Sequence, residues 1–444
     1  MGSNGLFRIK LFSPLRLREF RLLWVGMTVS LLGDGIFLVA IAWQVYELSN
    51  APTALSVVGI AIATPHVVLL LASGVVSDRF DRRVVMIGAD LARGLAVTVL
   101  GVLSLTGAIQ LWHIVALAAL YGAGTAFFGP AFEAIVPDLV PSQLLGQANS
   151  MDQFVRPAAW QLAGPAVGGL IVGGWGAGGA FLLDAGTFGV SILALSLMRT
   201  RAGAPSVEHR ASVLSDVREG FRFVRGHVWL WGTLLAAACA YLLFLGPTEV
   251  LLPLIVKNEM GGSARDLGFI LAMGGIGAIG AAILVGNRGI PRRHMTFIYV
   301  CWTVSTLAVA GYGLARVPWQ AMAAAFIFGS LESAGLIVWT TTKQRLVPRR
   351  LLGRVSSLDW FISIGLLPLS FALTGPVAHL AGARATLIGA GILGGVVTIA
   401  FLFLPGMRDI ERSGAIRRGP PETVEVAVPS EAGPPVSTPV ARPG

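Results

Sequence analysis

The chain alternates long apolar stretches of roughly 20 to 27 residues with short polar or basic segments. At about 1.5 Å per residue, one such stretch crosses the about 30 Å hydrocarbon core of a bilayer as a helix. Spans are predicted over 22–45, 54–76, 84–105, 111–136, 147–173, 177–198, 229–255, 267–286, 295–314, 319–342, 355–379 and 384–405, twelve in all. The runs are continuously apolar and do not alternate with a period of two. Because backbone exposed to lipid must satisfy its own hydrogen bonds, the pattern predicts helices and not a barrel. The first span follows about twenty polar and basic residues, and no small-residue cleavage site succeeds a short apolar core, so it reads as a retained helix and not as a signal peptide.

Composition agrees with the pattern: 55% of the 444 residues are hydrophobic and 13% are charged, too apolar for a chain of this size in water. The net charge of +10 would suit nucleic acid if it formed one patch. It does not. Of the 33 basic residues, 27 fall in the N-terminal segment, the even-numbered loops and the tail. Arg79, Arg82 and Arg83 hold the second loop, Arg288, Arg292 and Arg293 the eighth, and Lys343, Arg345, Arg349, Arg350 and Arg354 the tenth. The positive-inside rule then places both termini in the cytoplasm of a multi-pass protein of the plasma (inner) membrane, and the anionic leaflet accounts for the charge without nucleic acid.

The two halves repeat. At an offset of about 207 residues, the segment Pro141-Ser-Gln-Leu-Leu-Gly146 through Asp152 and Phe154 lies over Pro348-Arg-Arg-Leu-Leu-Gly353 through Asp359 and Phe361, and Gly164-Pro165 echoes Gly375-Pro376. The expected fold class is an all-α membrane protein of twelve transmembrane helices in two pseudo-symmetric six-helix halves. Its expected divisions are a cytoplasmic segment 1–21, a first half 22–198, a cytoplasmic linker 199–228, a second half 229–405 and a Pro-rich, disordered cytoplasmic tail 406–444. A parallel repeat of this kind suits a site between the halves that opens to one side at a time.

The second loop reads Gly74-Val-Val-Ser-Asp78-Arg79-Phe-Asp81-Arg82-Arg83. In its place between the second and third spans it resembles the signature loop of the major facilitator superfamily. Phe20-Arg-Leu-Leu-Trp24, Ser30-Leu-Leu-Gly33-Asp34, and Pro130-Ala-Phe-Glu-Ala-Ile-Val-Pro137 leading to Ala148-Asn149-Ser150 resemble that superfamily's drug-efflux branch, which contains macrolide exporters and the enterobactin exporter. The resemblance covers about residues 15–405, and Asp81 stands where the loop usually has glycine. It implies that Asp78 caps the start of the eleventh span and that Arg79 meets an acid near the fourth, Glu133 or Asp138, so that the loop acts as a gate. In the fifth span, Gly164-Pro165-Ala-Val-Gly168-Gly169 combines small residues that permit close packing with a proline that bends the helix, and loosely matches the superfamily's antiporter motif.

Ionisable residues inside spans cost about 2.5–3.5 kcal/mol each on insertion scales and so call for a reason. Asp34 lies near the middle of the first span and Glu332 near the middle of the tenth. The resemblance places helices one, four, seven and ten around a cavity, which would turn both carboxylates toward it as candidates for proton coupling or cation binding. Glu249 and Glu133 lie nearer span ends and are further candidates for proton coupling or the substrate cavity, with gating or snorkelling to water as the alternative. Asp90 with Arg93, and Asp152 with Arg156, share helix faces and read as self-neutralising structural pairs. Asp184 has no local partner and its role is open. Trp24, Trp43, Trp112, Trp229 and Trp319 near span ends suggest interfacial anchors.

Cys239 and Cys301 lie in spans and suggest packing residues, not a disulfide. His66 and His379 lack ligand spacing, no metal or other cofactor is indicated, and no Gly-Lys-Ser/Thr phosphate loop exists to admit ATP. The expected protein is a monomeric secondary exporter of drug-like or siderophore-like small molecules by alternating access, in exchange for protons, with membrane lipid as its surroundings. Nutrient uptake fits the fold but not the efflux-branch motifs, and a lipid-handling enzyme on the same fold lacks a nucleophile or metal set beside Asp34 and Glu332.

Overall fold

A computed structural model describes residues 10–141, 144–199 and 213–414, and all its regular structure is helical. The first half comprises α1 (Arg18–Leu48), α2 (Pro52–Arg79), α3 (Arg82–Leu105), α4 (Leu111–Leu139), α5 (Leu145–Arg156) and α6 (Gly164–Ser196), with a π-helical turn over Pro157–Ala163 joining the last two. After α7 (Val213–Arg225), the second half comprises α8 (Val228–Asn258), α9 (Ala264–Arg288), α10 (His294–Leu314), α11 (Pro318–Leu346), α12 (Arg349–Gly365), α13 (Leu367–Ala381) and α14 (Ala383–Leu402), followed by the short α15 (Asp409–Arg412).

Among the described residues, eleven helical stretches are long and apolar enough to cross a bilayer. One of them, Phe154–Ser196, has 43 residues, about 65 Å if straight and twice the hydrocarbon thickness. Gly176 divides it: φ of 75° and ψ of 174° lie in a region that only glycine adopts without strain. The fifth and sixth spans therefore run on either side of Gly176, and the total is the twelve expected. The eleventh span is likewise made of two pieces, α12 and α13, which meet at Leu366.

Helix ends follow local chemistry. Asp81 caps α3 by accepting the Arg83 backbone N–H at 2.9 Å. Ser263 and Asp266 form a reciprocal capping box at the start of α9. Large apolar side chains such as Val68, Leu95, Leu193 and Leu380 stay exposed on the outer surface, as a lipid-facing surface requires.

The repeat extends to packing. In the first half α1 packs on α6, α2 on α4, and α3 on both α4 and α6. In the second α8 packs on α14, α9 on α11, and α10 on both α11 and α14, which is the same scheme. The N-terminal segment, the second loop and the linker ends share one face, called here the basic face. There Arg18 donates to the Leu197 carbonyl at 3.1 Å and the Arg199 backbone N–H donates to Glu19 at 3.0 Å.

The halves meet along α6 with α9, and α2 with α13. Gly169 faces Gly268, and Gly275 faces the backbone of Gln161 and Leu162, so the two halves approach backbone to backbone. Hydrogen bonds cross the seam at the face opposite the basic one. The Tyr46 hydroxyl donates to the Val250 carbonyl at 2.6 Å, and the Lys257 ammonium donates to the Tyr46 carbonyl at the end of α1. Gly59 of α2 packs on the ring of Phe371, and Gly375 of α13 on Thr53, at the same end.

The linker contains the helix α7, which Glu219 ties to Arg354 on α12. Two expectations change. The tail does not leave the bundle at residue 406: Met407 is buried beside Thr233 and Tyr299, and Glu411 accepts from Thr296 through both its backbone N–H, at 3.1 Å, and its hydroxyl, at 2.8 Å. Residues 415–444, the remainder of the segment expected to be disordered, lie outside the described residues. Trp112 and Trp319 are exposed at helix starts, as anchors would be, but Trp229 is buried against Trp339 because the linker and tail cover that end of α8.

These close helix contacts set a packing test. A Cβ at Gly122 of α4 would run into the Ile62 carbonyl oxygen on α2, far closer than van der Waals contact allows, whereas one at Gly88 of α3 would meet nothing within 4 Å. Gly122→Val should therefore destabilise the protein by about 1–3 kcal/mol, read as a lower thermal unfolding temperature in detergent. Gly88→Ala should leave that temperature unchanged or slightly raised.

Candidate functional site

The first half encloses a cluster of charge at the middle of its helices. Arg93 is buried on α3, and its Nη2 donates to Asp90 Oδ1 at 2.5 Å, one helical turn earlier. Its Nη1 lies 3.5 Å from both carboxylate oxygens of Asp34 on α1. The guanidinium is sandwiched between the rings of Phe128 at 4.8 Å and Phe188 at 4.6 Å, contacts that favour a cation. Asp34 also accepts the Tyr121 hydroxyl of α4 at 2.5 Å, and Phe37 stacks on that ring at 4.2 Å. Ser191 of α6 donates to the second oxygen of Asp90 at 2.6 Å.

Asp184 completes the group from α6. It is fully enclosed, with Oδ1 accepting from Thr187 at 3.2 Å and lying against Gly33, the neighbour of Asp34. Four helices thus bring three carboxylates around one guanidinium. In a medium of low polarisability an ion pair at contact distance is worth about 4 kcal/mol or more, and removing one partner leaves a buried charge uncompensated.

The second half carries a smaller counterpart. Glu332 on α11 accepts the Tyr241 hydroxyl of α8 at 3.2 Å and lies 3.5 Å from Ser305 Oγ of α10. It lines a cavity of about 30 Å³ with Tyr241, Phe244, Trp302 and Thr306, room for about two waters. The offset that lays Pro141 over Pro348 also lays Asp34 over Tyr241. Each half therefore links its first and fourth helices through a carboxylate and a tyrosine, with the two residue types interchanged.

Several sequence expectations are revised by this geometry. Asp34 and Glu332 turn into the bundles of their own halves, not toward the seam between them, because their hydrogen-bond donors lie there. Asp90 and Arg93 are paired, but the pair is not self-contained, since Arg93 also serves Asp34. Asp152 and Arg156 do pair, at 2.9 Å, and Arg156 also lies 5.6 Å from the Phe132 ring. Glu249 is exposed on α8 and accepts no hydrogen bond among the described residues, and Glu133 is exposed on α4 near Asp152 and Arg156.

In the second loop, Gly74 and Asp78 lie on α2 with their surroundings outside the described residues. Arg79 is exposed and makes no ion pair among the described residues. Of the two acids expected for it, Asp138 is held instead by Arg82 at 2.6 Å, because Arg82 opens α3 directly beside the end of α4, and Glu133 lies near Arg156 and Asp152. Arg83 donates to the carbonyls of Ser196 and Met198, each at 2.6 Å, at the end of α6. In this conformation the loop's arginines therefore fasten helices within the first half, and the contact predicted for Arg79 is not made.

Gly164 and Gly168 pack on Gly35 and Ile36 of α1, while Gly169 packs on α9 of the other half. The irregular backbone lies just ahead of Pro165, over Pro157–Ala163. Tyr121, Ser191 and Tyr241 escaped the sequence reading. Comparing Asp34 with its repeat position would have found Tyr241. Among the described residues, no group of acids, histidines or cysteines could hold a metal ion.

A family model described as a transmembrane secretion effector, of the major facilitator type, matches residues 9–438. The chain belongs to this family. The multidrug efflux pump Tap of Mycolicibacterium fortuitum is 30% identical over 90% of this chain and 97% of its own length. Macrolide efflux protein A of Streptococcus pyogenes is 26% identical over 63% of this chain and 69% of its own. A bacterial homologue of the iron transporter ferroportin, solved in an inward-facing state, shares the fold with a TM-score of 0.65 at 16% identity, over 87% of this chain and 98% of that one. The protein is a multi-pass membrane transporter of the major facilitator superfamily and not an enzyme.

Arg93 is the member of the cluster with most to lose. Arg93→Met would leave Asp90 and Asp34 without their counter-charge and should cost about 3–5 kcal/mol. Tyr121→Phe, which removes one donor to Asp34, should cost about 1–3 kcal/mol. Thermal unfolding of the purified variants in detergent checks both the size and the order of these effects.

Proposed function

We propose that the transporter exports drug-like or siderophore-like small molecules by alternating access, in exchange for protons. The observation that carries this reading is the seam fastened at one end. Hydrogen bonds cross between the halves opposite the basic face, at Tyr46, Val250 and Lys257, while the arginines of the basic face bond within the first half. With the basic face in the cytoplasm, as its charge favours, this is a state closed to the outside. The names of the similar efflux proteins support export over uptake, and both termini are then cytoplasmic in the inner membrane, with each monomer a complete unit. The Asp34 cluster is the coupling site, because it holds carboxylates that a proton can neutralise within the bundle.

Two measurements test this. Inside-out vesicles with an acidic lumen should accumulate ethidium or erythromycin, and Asp34→Asn should abolish the dependence on the pH gradient. Undiminished gradient-driven uptake by that variant would remove Asp34 from the mechanism. Alternating access is probed at the seam, where a Cβ on Gly375 would lie 3.1 Å from the Thr53 Cα. In a background without Cys239 and Cys301, Thr53→Cys with Gly375→Cys should form a disulfide on oxidation that stops transport, and reduction should restore it. Full transport by the cross-linked protein would exclude an opening at this end.

A further inference from the structure

Within the cluster, satisfaction is unequal. Asp90 accepts from Arg93 and from Ser191, and Asp34 accepts from Tyr121 and faces Arg93. Asp184 is 0% exposed, and its Oδ2 has no hydrogen-bond partner among the described residues. The titratable and charged groups around it are Asp34 from α1, Asp90 and Arg93 from α3, and Tyr121 from α4, while its own helix adds the hydroxyls of Thr187 and Ser191. Arg93 is the one cation among them, and its two terminal nitrogens are directed at Asp90 and Asp34. A bare carboxylate oxygen with no counter-charge of its own is strongly disfavoured in so enclosed a place. A neutral carboxyl group fits it.

The cluster also has a way out to water. The Asp34 side chain keeps 15% of its surface exposed, whereas those of Asp90 and Asp184 keep none. Asp34 is the neighbour in sequence of Gly33, against which Asp184 lies.

We propose that Asp184 is the residue that carries the exchangeable proton, with Asp34 as its relay to water and Arg93 as the counter-charge shared between them. In the conformation described, Asp184 holds the proton and Asp34 is ionised beside Arg93. On release the O–H bond at Asp184 breaks, the proton forms an O–H bond with the Asp34 carboxylate, and Asp34 passes it to water. Arg93 then turns from Asp34 toward the newly charged Asp184. The cluster loses one proton and gains one negative charge, with Asp90 and Ser191 unchanged. This inference rests on the proton-coupled reading above and names the atom that performs the coupling.

Infrared difference spectroscopy on the purified full-length protein in proteoliposomes tests it without substrate or transport, so a failed export screen and a failed assignment remain distinguishable. Wild type should show a carbonyl-stretch band of a protonated carboxylic acid that disappears as pH rises. Asp184→Asn should lose that band, and Asp34→Asn should keep it with a shifted titration midpoint. A band unchanged in Asp184→Asn, or absent from wild type at every pH, overturns the assignment. Should Asp184→Asn fail to fold, Asp184→Glu retains the acid and should move the band or its midpoint; an unmoved band in that variant overturns the proposal equally.

Discussion

The first half is organised around a guanidinium that water cannot reach. Arg93 is buried at mid-membrane depth, and a charge there is tolerated only where partners surround it. Those partners come from α1 and α3, with aromatic faces from α4 and α6 closing above and below. Their convergence needs close helix approach, which Gly33 against Asp184 and Thr187, and Gly26 against Ser191, provide. The small residues and the charges on these helices thus belong to one arrangement: without the glycines, Asp184 and Ser191 of α6 could not reach the same centre as Asp34.

The second half repeats the helix scheme but not the charge balance. Glu332 finds a phenol and a hydroxyl where Asp34 finds a phenol and a guanidinium, and among the described residues no cation stands beside Glu332. Interchange of acid and tyrosine between Asp34–Tyr121 and Tyr241–Glu332 keeps a hydrogen bond between the first and fourth helices of each half. A hydrogen bond serves that purpose in either direction, so selection on packing alone leaves the residue types free to swap. The extra Asp90, Arg93 and Asp184 have no such counterpart, and on the proposed coupling they make the first half the place where charge changes.

The spans and their repetition were legible in the sequence because hydropathy is local and additive along a helix. The break at Gly176 was legible too, since it falls in the gap between the spans 147–173 and 177–198. The break at Leu366 was not, because it interrupts the eleventh span, 355–379, inside one apolar run. The acids themselves were legible as expensive residues, but their directions were not, because direction depends on which donor lies across the bundle. Asp34 and Glu332 turn away from the seam toward Tyr121 and Tyr241, residues far from them in the chain. Arg79 and Arg82 are equally basic in sequence, and only the start of α3 beside the end of α4 gives Asp138 to Arg82.

The seam has the energetics that two accessible conformations require. Along α6 and α9 the contact is backbone against backbone, through Gly169, Gly268 and Gly275, and commits no side-chain hydrogen bond among the described residues. At its closed end, Lys257 donates to a carbonyl in the last turn of α1, where the helix dipole favours a cation, and lies 5.7 Å from the Trp43 ring. Tyr46 donates to Val250 beside it. Each such bond is exchanged for one to water when the end opens, so its net contribution is about 0.5–1.5 kcal/mol. A few contacts of that size hold one state over another by a few kcal/mol, a margin that one proton or one bound molecule can reverse. Gly35, next to Asp34, packs on Gly164 and Pro165, and the Pro165 carbonyl lies against Gly268 across the seam. On the proposed cycle, neutralising or charging the cluster therefore acts within one residue of a contact between the halves.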